Sequence, residues 1–297
     1  MLVTQLGEFG LIERFRKGIR VDASVIKGSG DDCAVLAFDK KRYQLLTCDM
    51  IVEDVDFTLK DKPDSIGRKA IAIQVSDIAS CGGFPRHCVI SMGLNRATTV
   101  RFLDKVLQGM CDAAREYKIN IVGGDLSRSE KLVIDVSMLG LVEKKRLLLR
   151  DAAVVGDMVF VTGSLGGSIR GKHLTFTPRL EEARFLVKNF KLHSMIDISD
   201  GLIQDLNHIL RQSKVGANLY EELIPINSGS HLEEALSMGE DFELLFTMPR
   251  REARKLLAKK LKIFKPIGEI VEKRFGLNLV GKSGGEKPLA EKGYRHF

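Results

Sequence analysis

MIDISDGLIQDL, residues 195–206, sets Asp197 and Asp200 between an apolar strand-like run and an apolar helix-like run. Ionised carboxylates are seldom buried without a partner, so two in such a setting need an explanation. Read as a strand, residues 196–199 put Asp197 and Ser199 on one face and Ile196 and Ile198 on the other. Ser199 or Asp200 then suits the N-cap of a helix whose apolar stripe is Leu202, Ile203, Leu206, Ile209 and Leu210. This strand–cap–helix reading makes the segment part of an αβ layer, and it leaves Asp197 without a structural role.

The same setting recurs along the chain. GSGDDCAVL places Asp31 and Asp32 at a strand start, and LLTCDM puts Asp49 within or at the end of a strand. IQVSDIAS sets Asp77 in an apolar helix, and INIVGGDLS sets Asp125 just after a strand. On its helix Asp77 has Ile73, Gln74, Ser80 and Cys81 as neighbours at i±3 and i±4, none of them cationic. Local roles exist for some of these: a turn after Gly30, a turn at Asp125 with Arg128 nearby, a cap at Asp200. Asp49, Asp77 and Asp197 would instead need three separate buried pairings, which is costly. Hard cations bound by oxygen ligands and bridging to phosphates answer all of them together, and several carboxylates imply several magnesium ions.

A chain of 297 residues, 44% hydrophobic and 29% charged, suits two globular domains. No apolar run approaches the roughly 18 residues of a membrane span, and no signal-peptide core is visible. Five cysteines (Cys33, Cys48, Cys81, Cys88 and Cys111), odd in number and without CxxC spacing, point to reduced thiols in a cytoplasmic protein. The net charge of +7 is uneven, with +9 in residues 250–297 and −2 before them. In PRREARKLLAKKLKIF, Ala253, Leu256, Leu257 and Leu261 form an apolar stripe with basic residues opposite. That pattern describes a solvated helix, so no nucleic-acid partner is expected. Strands at 33–38 and 43–52, a helix at 65–81, and a further strand, helix and two strands make residues 1–145 one α+β domain. The connector KKRLLLRDAAVVGD leads to a second, 146–297, opening with the strand MVFVTG.

GGSIRGKH, residues 166–173, nearly spells a phosphate-binding P-loop but has His173 where the hydroxyl should stand. GSGDDC lacks the third glycine of a dinucleotide fingerprint. There is no GxSxG or HExxH, so neither a serine nucleophile nor a zinc-protease site is expected.

GEFGLIERF, GSGDDCAVL, CDMIVEDVDF, QVSDIASCGGFP, IVGGDLSR, MIDISDGLIQDL, GEDFELLFT and KGYRHF, in this order from Gly7 to the C-terminus, resemble the thiamine-monophosphate kinase family. More distantly the chain is similar to aminoimidazole ribonucleotide synthetase, selenophosphate synthetase and a hydrogenase-maturation protein. The resemblance implies a homodimer whose N-terminal mixed sheets join into a barrel at the interface, with a C-terminal α/β sandwich. It implies transfer of the ATP γ-phosphoryl group to thiamine monophosphate. Asp32, Asp49, Asp77, Asp125 and Asp197 would hold magnesium ions around the triphosphate, and Asp200 would touch a further ion. Thr47 and Cys48 would add contacts to metal and nucleotide beside Asp49. Gly124, Asp125, Arg150 and Ser199 would contact ATP, and Asp77 and Arg150 would act in catalysis. Asp56, Glu240 and the segment holding Glu291 would lie near the thiamine end.

The chain departs from the family's pattern at several points. Cys48 and Met50 flank Asp49 where hydroxyls are usual, Asp56 stands for a histidine, and Glu291 stands for a tryptophan. Two other readings follow: a related ATP-dependent enzyme with a different small acceptor, or a nucleotide-binding protein without turnover.

Overall fold

The alternation of residues 42–52 and 133–143 builds the centre of the first sheet. In the computed structural model, which describes residues 2–294, the chain opens with helix α1 (Val3–Gly18), kinked at Gly7. Strands β1 (Val25–Lys27), β2 (Ala34–Ala37) and β3 (Arg42–Val52) follow, then helix α2 (Pro63–Ser80), strand β4 (Phe84–Leu94) and helix α3 (Val100–Glu116). Strands β5 (Asn120–Arg128) and β6 (Val133–Glu143) complete this half. The sheet order is β1-β2-β3-β6-β4-β5, antiparallel except for β4–β5. Ile134, Val136 and Met138 on β6 and Leu45 and Ile51 on β3 are buried, in one core with Ile71 and Ile78 of α2. Every second residue points the other way, and Leu46, Met50, Val89 and Val122 leave that outer face apolar and exposed.

Two glycines let α3 lie against α2. A Cβ on Gly67 would fall 1.9 Å from the Val106 carbonyl oxygen, and one on Gly109 would fall 1.9 Å from that of Asp64. Only glycine fits at this crossing.

The second half contains β7 (Met158–Thr162), α4 (Lys172–Thr175), α5 (Leu180–Asn189), β8 (Ser194–Asp197) and α6 (Leu202–Ser213). It continues through β9 (Val215–Tyr220), α7 (Leu232–Ser237), β10 (Leu244–Met248), α8 (Arg250–Ala258), β11 (Phe264–Glu272), β12 (Leu277–Val280) and β13 (Glu286–Pro288). Its sheet runs β13-β12-β9-β11-β7-β10-β8, with only β12–β9 parallel among the described strands. The architecture is a mixed α/β fold with two sheets.

Several expectations need correction. Neither Ser199 nor Asp200 caps α6. The N-cap is Gly201 at φ 115°, and the Asp205 carboxylate accepts the amides of Asp200 and Gly201, both at 3.1 Å. A side chain in the first turn therefore reaches back to the amides just before the helix, and no side chain caps its N-terminus among the described residues. Helix α8 ends at Ala258, so Leu261 lies beyond it, and Leu257 is exposed while Ala253 and Leu256 are buried. Strand β11 escapes a pattern reading because Pro266 and Gly268 mark a register shift against β7.

Candidate active site

Four carboxylates from four elements meet where the two halves touch. Asp77 projects from α2, Asp49 from β3, Asp32 from the loop before β2, and Asp197 from the end of β8. The Ser76 hydroxyl donates to Asp197 Oδ2 at 2.6 Å, and the Ser80 hydroxyl donates to Asp32. Thr47 donates to Asp77, whose carboxyl also lies within hydrogen-bonding reach of Asp49. Helix α2 thus supplies one ligand-type side chain and two hydroxyls that hold its neighbours.

The electrostatics are those of crowded like charge in a dry place. Burial pushes Asp77 well above the usual carboxylate range, and Asp49, Asp197 and Asp32 push it further. Burial, then Asp32, lifts Asp197 to about 8. Asp49 is raised by burial first, with Asp32, Asp135 and Asp200 adding to it. Arg150 answers the cluster from the connector. Its guanidinium forks onto Asp32, with Nε at 3.1 Å, and its amide reaches Asp31 Oδ2 at 3.3 Å. Burial and Asp32 lift Asp31 to about 7, and Asp31 Oδ1 is buried without a hydrogen bond among the described residues. Arg150, with Lys27 at 3.7 Å from Asp31 Oδ2, cannot neutralise this many carboxylates. Hard oxygen donors, an orphaned buried oxygen and raised pKa values together fit a site for divalent cations.

The cluster opens into a cavity of about 590 Å³ between the halves. Asp49 and Asp77 line one end, and Ser199 and Asp200 line its side. The other end holds Asp56, Lys69, Glu240 and Tyr294. Asp56 is fixed by accepting the Val52 amide at 2.7 Å. Glu291 is placed differently: it pairs with Arg211 on α6, and its successors Lys292, Gly293 and Tyr294 are the residues that face the cavity. The last three residues of the KGYRHF motif lie outside the described residues.

Three expected site residues are not brought together with the cluster. Cys48 points to the outer face of the first sheet, where its sulfur lies 3.2 Å from both Asp135 Oδ2 and the Ser137 hydroxyl. Asp125 is exposed on β5; it registers with Ser91, which registers with Asp135, which registers with Met50. Three strand spacings separate it from β3, roughly 14 Å, on the outer face. Gly124 sits beside it, exposed.

The near-P-loop serves another purpose. The Gly166 amide donates to Asp241 Oδ2 at 2.9 Å, and Ser168 donates to the same carboxylate. Glu243 is buried and receives the Arg179 guanidinium at 2.6 and 2.8 Å and the Thr162 hydroxyl at 2.7 Å. The glycine loop cradles an acidic motif of its own chain rather than a phosphate. Lys69 is a buried, cavity-lining residue that pattern reading misses. Its signal is a lysine inside the apolar run of α2, two turns before Asp77.

Residues 30–142 match the N-terminal domain, and 154–279 the C-terminal domain, of the AIR synthase related protein family. A thiamine-monophosphate kinase of Buchnera aphidicola is 33% identical, with 98% of each chain covered. The Aquifex aeolicus thiamine-monophosphate kinase is 33% identical over the whole of both chains. The chain belongs to the thiamine-monophosphate kinase family. Bacillus subtilis supplies another thiamine-monophosphate kinase, 32% identical over 98% of this chain and 100% of its own. Among solved structures, "AaThiL complexed with AMPPCP and TMP" superposes with a TM-score of 0.88 at 31% identity, covering 100% of this chain and 99% of the other. A HypE–HypF complex shares the fold at a TM-score of 0.77 and 20% identity, covering 95% and 99%. The family motifs converge here on one cavity, with Glu291 turned aside to Arg211 and Asp125 on another face.

Proposed function

We propose that this chain catalyses ATP-dependent phosphorylation of thiamine monophosphate to thiamine diphosphate. The observation that carries the reading is the Asp32–Asp49–Asp77–Asp197 cluster opening into one end of the cavity, in a chain similar throughout to thiamine-monophosphate kinases. Magnesium ions held by these carboxylates, with Asp200 beside them, would neutralise the facing phosphates. The chain's own residues supply position. Arg150 forks onto Asp32 and offsets part of the cluster's charge, and Ser199 lines the cavity beside Asp200. An acceptor phosphate with a second pKa of about 6 is mostly ionised at neutral pH, so its oxygen attacks the γ-phosphorus without a strong base. The bond to the bridging β–γ oxygen breaks and ADP leaves. Asp56, Glu240 and Tyr294 give the acceptor end an acidic, aromatic lining suited to a cationic ring.

Asp125, Gly124 and Cys48 enter the same scheme if two copies pair through the outer faces of their first sheets, where Leu46, Met50, Val89 and Val122 are exposed. In this homodimer, residues 1–145 carry the interface and most of the metal site, and residues 146–297 close the cavity. Five free thiols accord with a cytoplasmic setting. Incubation with ATP, magnesium and thiamine monophosphate should yield thiamine diphosphate by mass detection. Turnover of ATP only with a different phosphorylated metabolite would replace the acceptor while keeping the kinase. The Arg211–Glu291 pair, at the position of the family's tryptophan, is what favours that second reading.

A further inference from the structure

Lys69 is among the most deeply buried side chains of the protein, at 1% exposure, and the metal and nucleotide roles proposed above do not include it. It stands on α2 with Ile73 and Asp77 at successive i+4 positions, and all three line the cavity. Its ammonium donates to the Asp56 carbonyl at 2.9 Å and forms an ion pair with Glu240. The first contact ties down the 53–57 loop, in which Asp54 is left-handed at φ 66°. The second crosses from the first half of the chain to the second.

Glu240 needs holding. Its own φ is 64°, and that of Phe242 is 50°, conformations that non-glycine residues rarely adopt and that persist only when their surroundings fix them. The surroundings do so from behind: Asp241 is bound by Gly166 and Ser168, and the amides of Glu240 and Phe242 donate to Ser199 and Ile198 at 2.6 and 2.8 Å. From the cavity side, Lys69 supplies the ion pair. The other Glu240 oxygen is buried without a hydrogen bond among the described residues. Severing the pair therefore leaves a carboxylate unneutralised beside Asp56, at the place where the acceptor would sit.

We infer that Lys69 is the positioning residue of the acceptor end, holding the 53–57 loop and the Glu240 loop in register across the cleft so that both walls are formed before the acceptor arrives. The inference rests on the acceptor reading above, but its structural half can be tested without an acceptor. Lys69→Met should raise the KM for thiamine monophosphate by about tenfold to a hundredfold, the scale expected when a substrate is held slightly out of place. The KM for ATP should stay within about twofold. Amide exchange on the ligand-free protein should speed up in 53–57 and 238–242 together and stay unchanged in β10. Glu240→Gln removes the charge of the same link from the other side and should speed exchange in the same two segments even if Lys69→Met folds poorly. In exchange, the double variant should be no worse than Lys69→Met alone. Additive effects on exchange, equal rises in both KM values for Lys69→Met, or exchange that is unchanged in the two loops would overturn the assignment. Absence of thiamine diphosphate from the unaltered protein would sink the acceptor reading instead, leaving amide exchange to decide the role of Lys69.

Discussion

Asp77 shows what a single carboxylate does when charge is concentrated. It faces Asp49, Asp197 and Asp32 and owes its raised pKa first to burial and then to them. Asp77→Asn should cut magnesium-dependent turnover by about a thousandfold or more, the scale of losing one element of transition-state charge stabilisation. The same change should make metal-free protein more stable at high pH than the unaltered protein, because an amide stays neutral where the crowded carboxyl would have to ionise. Near-normal turnover would exclude Asp77 from the reaction. The pH response follows from the same physics. Asp197 at about 8 and Asp31 at about 7 lie above the value of about 3.9 for an unfolded chain. The folded, metal-free protein therefore keeps protons that the unfolded chain has released. That contribution is complete below about pH 4 and is lost as pH rises through 7 and 8. Melting temperatures without metal should fall from pH 6 to pH 9, and magnesium should shrink the fall. Of this site, Asp49, Asp77 and Asp197 were legible as charges with no local partner, while Asp32 had a turn as a local role and entered the metal set through the family resemblance. Lys69 was not, because a lysine in a helix ordinarily reads as surface, and its partner Glu240 lies 171 residues away.

Helix α2 is the element on which the site depends. It carries Lys69 and Asp77 and places Ser76 and Ser80 against Asp197 and Asp32. Its seat is set by the Gly67–Gly109 crossing with α3, where backbone meets backbone. Gly109→Ala should cost about 2–3 kcal/mol, the upper range of overpacking, read as a lower denaturation midpoint with an unchanged m-value. A smaller loss would mean that α3 can retreat. Long elements such as α3 and β6 could be read from their periodicity, whereas α2, buried on nearly every side, was legible from its length and the Gly82-Gly83 stop after it. β1 and β13 were too short for a period to register, at three residues each. The cap of α6 was misread for a different reason: the helix starts after Gly201, and Asp205 inside it reaches back to the amides of Asp200 and Gly201.

At the scale of the whole molecule, the two halves share apolar packing, with Leu174, Phe176 and Phe242 in the core of the first sheet and Ala79 in a core of the second half, and charged and hydroxyl contacts fix how they meet. Ser76–Asp197, Arg150–Asp32, Lys69–Glu240 and Arg184–Glu143 all cross between the halves. Asp125 stands apart from all of them, so a site that uses it must draw on a second copy. Asp77→Asn and Asp125→Asn should each be inactive alone. Refolded together in equal amounts they should recover about a quarter of full activity, because each mixed dimer rebuilds one intact site. No recovery would mean that Asp125 acts within its own chain or not at all. Periodicity gives no sign of such a pairing, since proximity across an interface leaves no periodic trace in one chain; the expectation of a homodimer came from the family resemblance.

Because α2 bears both Lys69 and Asp77, the span between the two ends of the cavity is a property of one rigid rod. Eight residues at 1.5 Å each set it at about 12 Å, and no loop movement can lengthen it. The helix therefore works as a ruler. An acceptor whose phosphate sits too near its ring, or too far along a lengthened arm, can occupy the recognition end but cannot present its oxygen at the metal end. Selection by length would thus operate alongside selection by charge, at no cost in additional contacts.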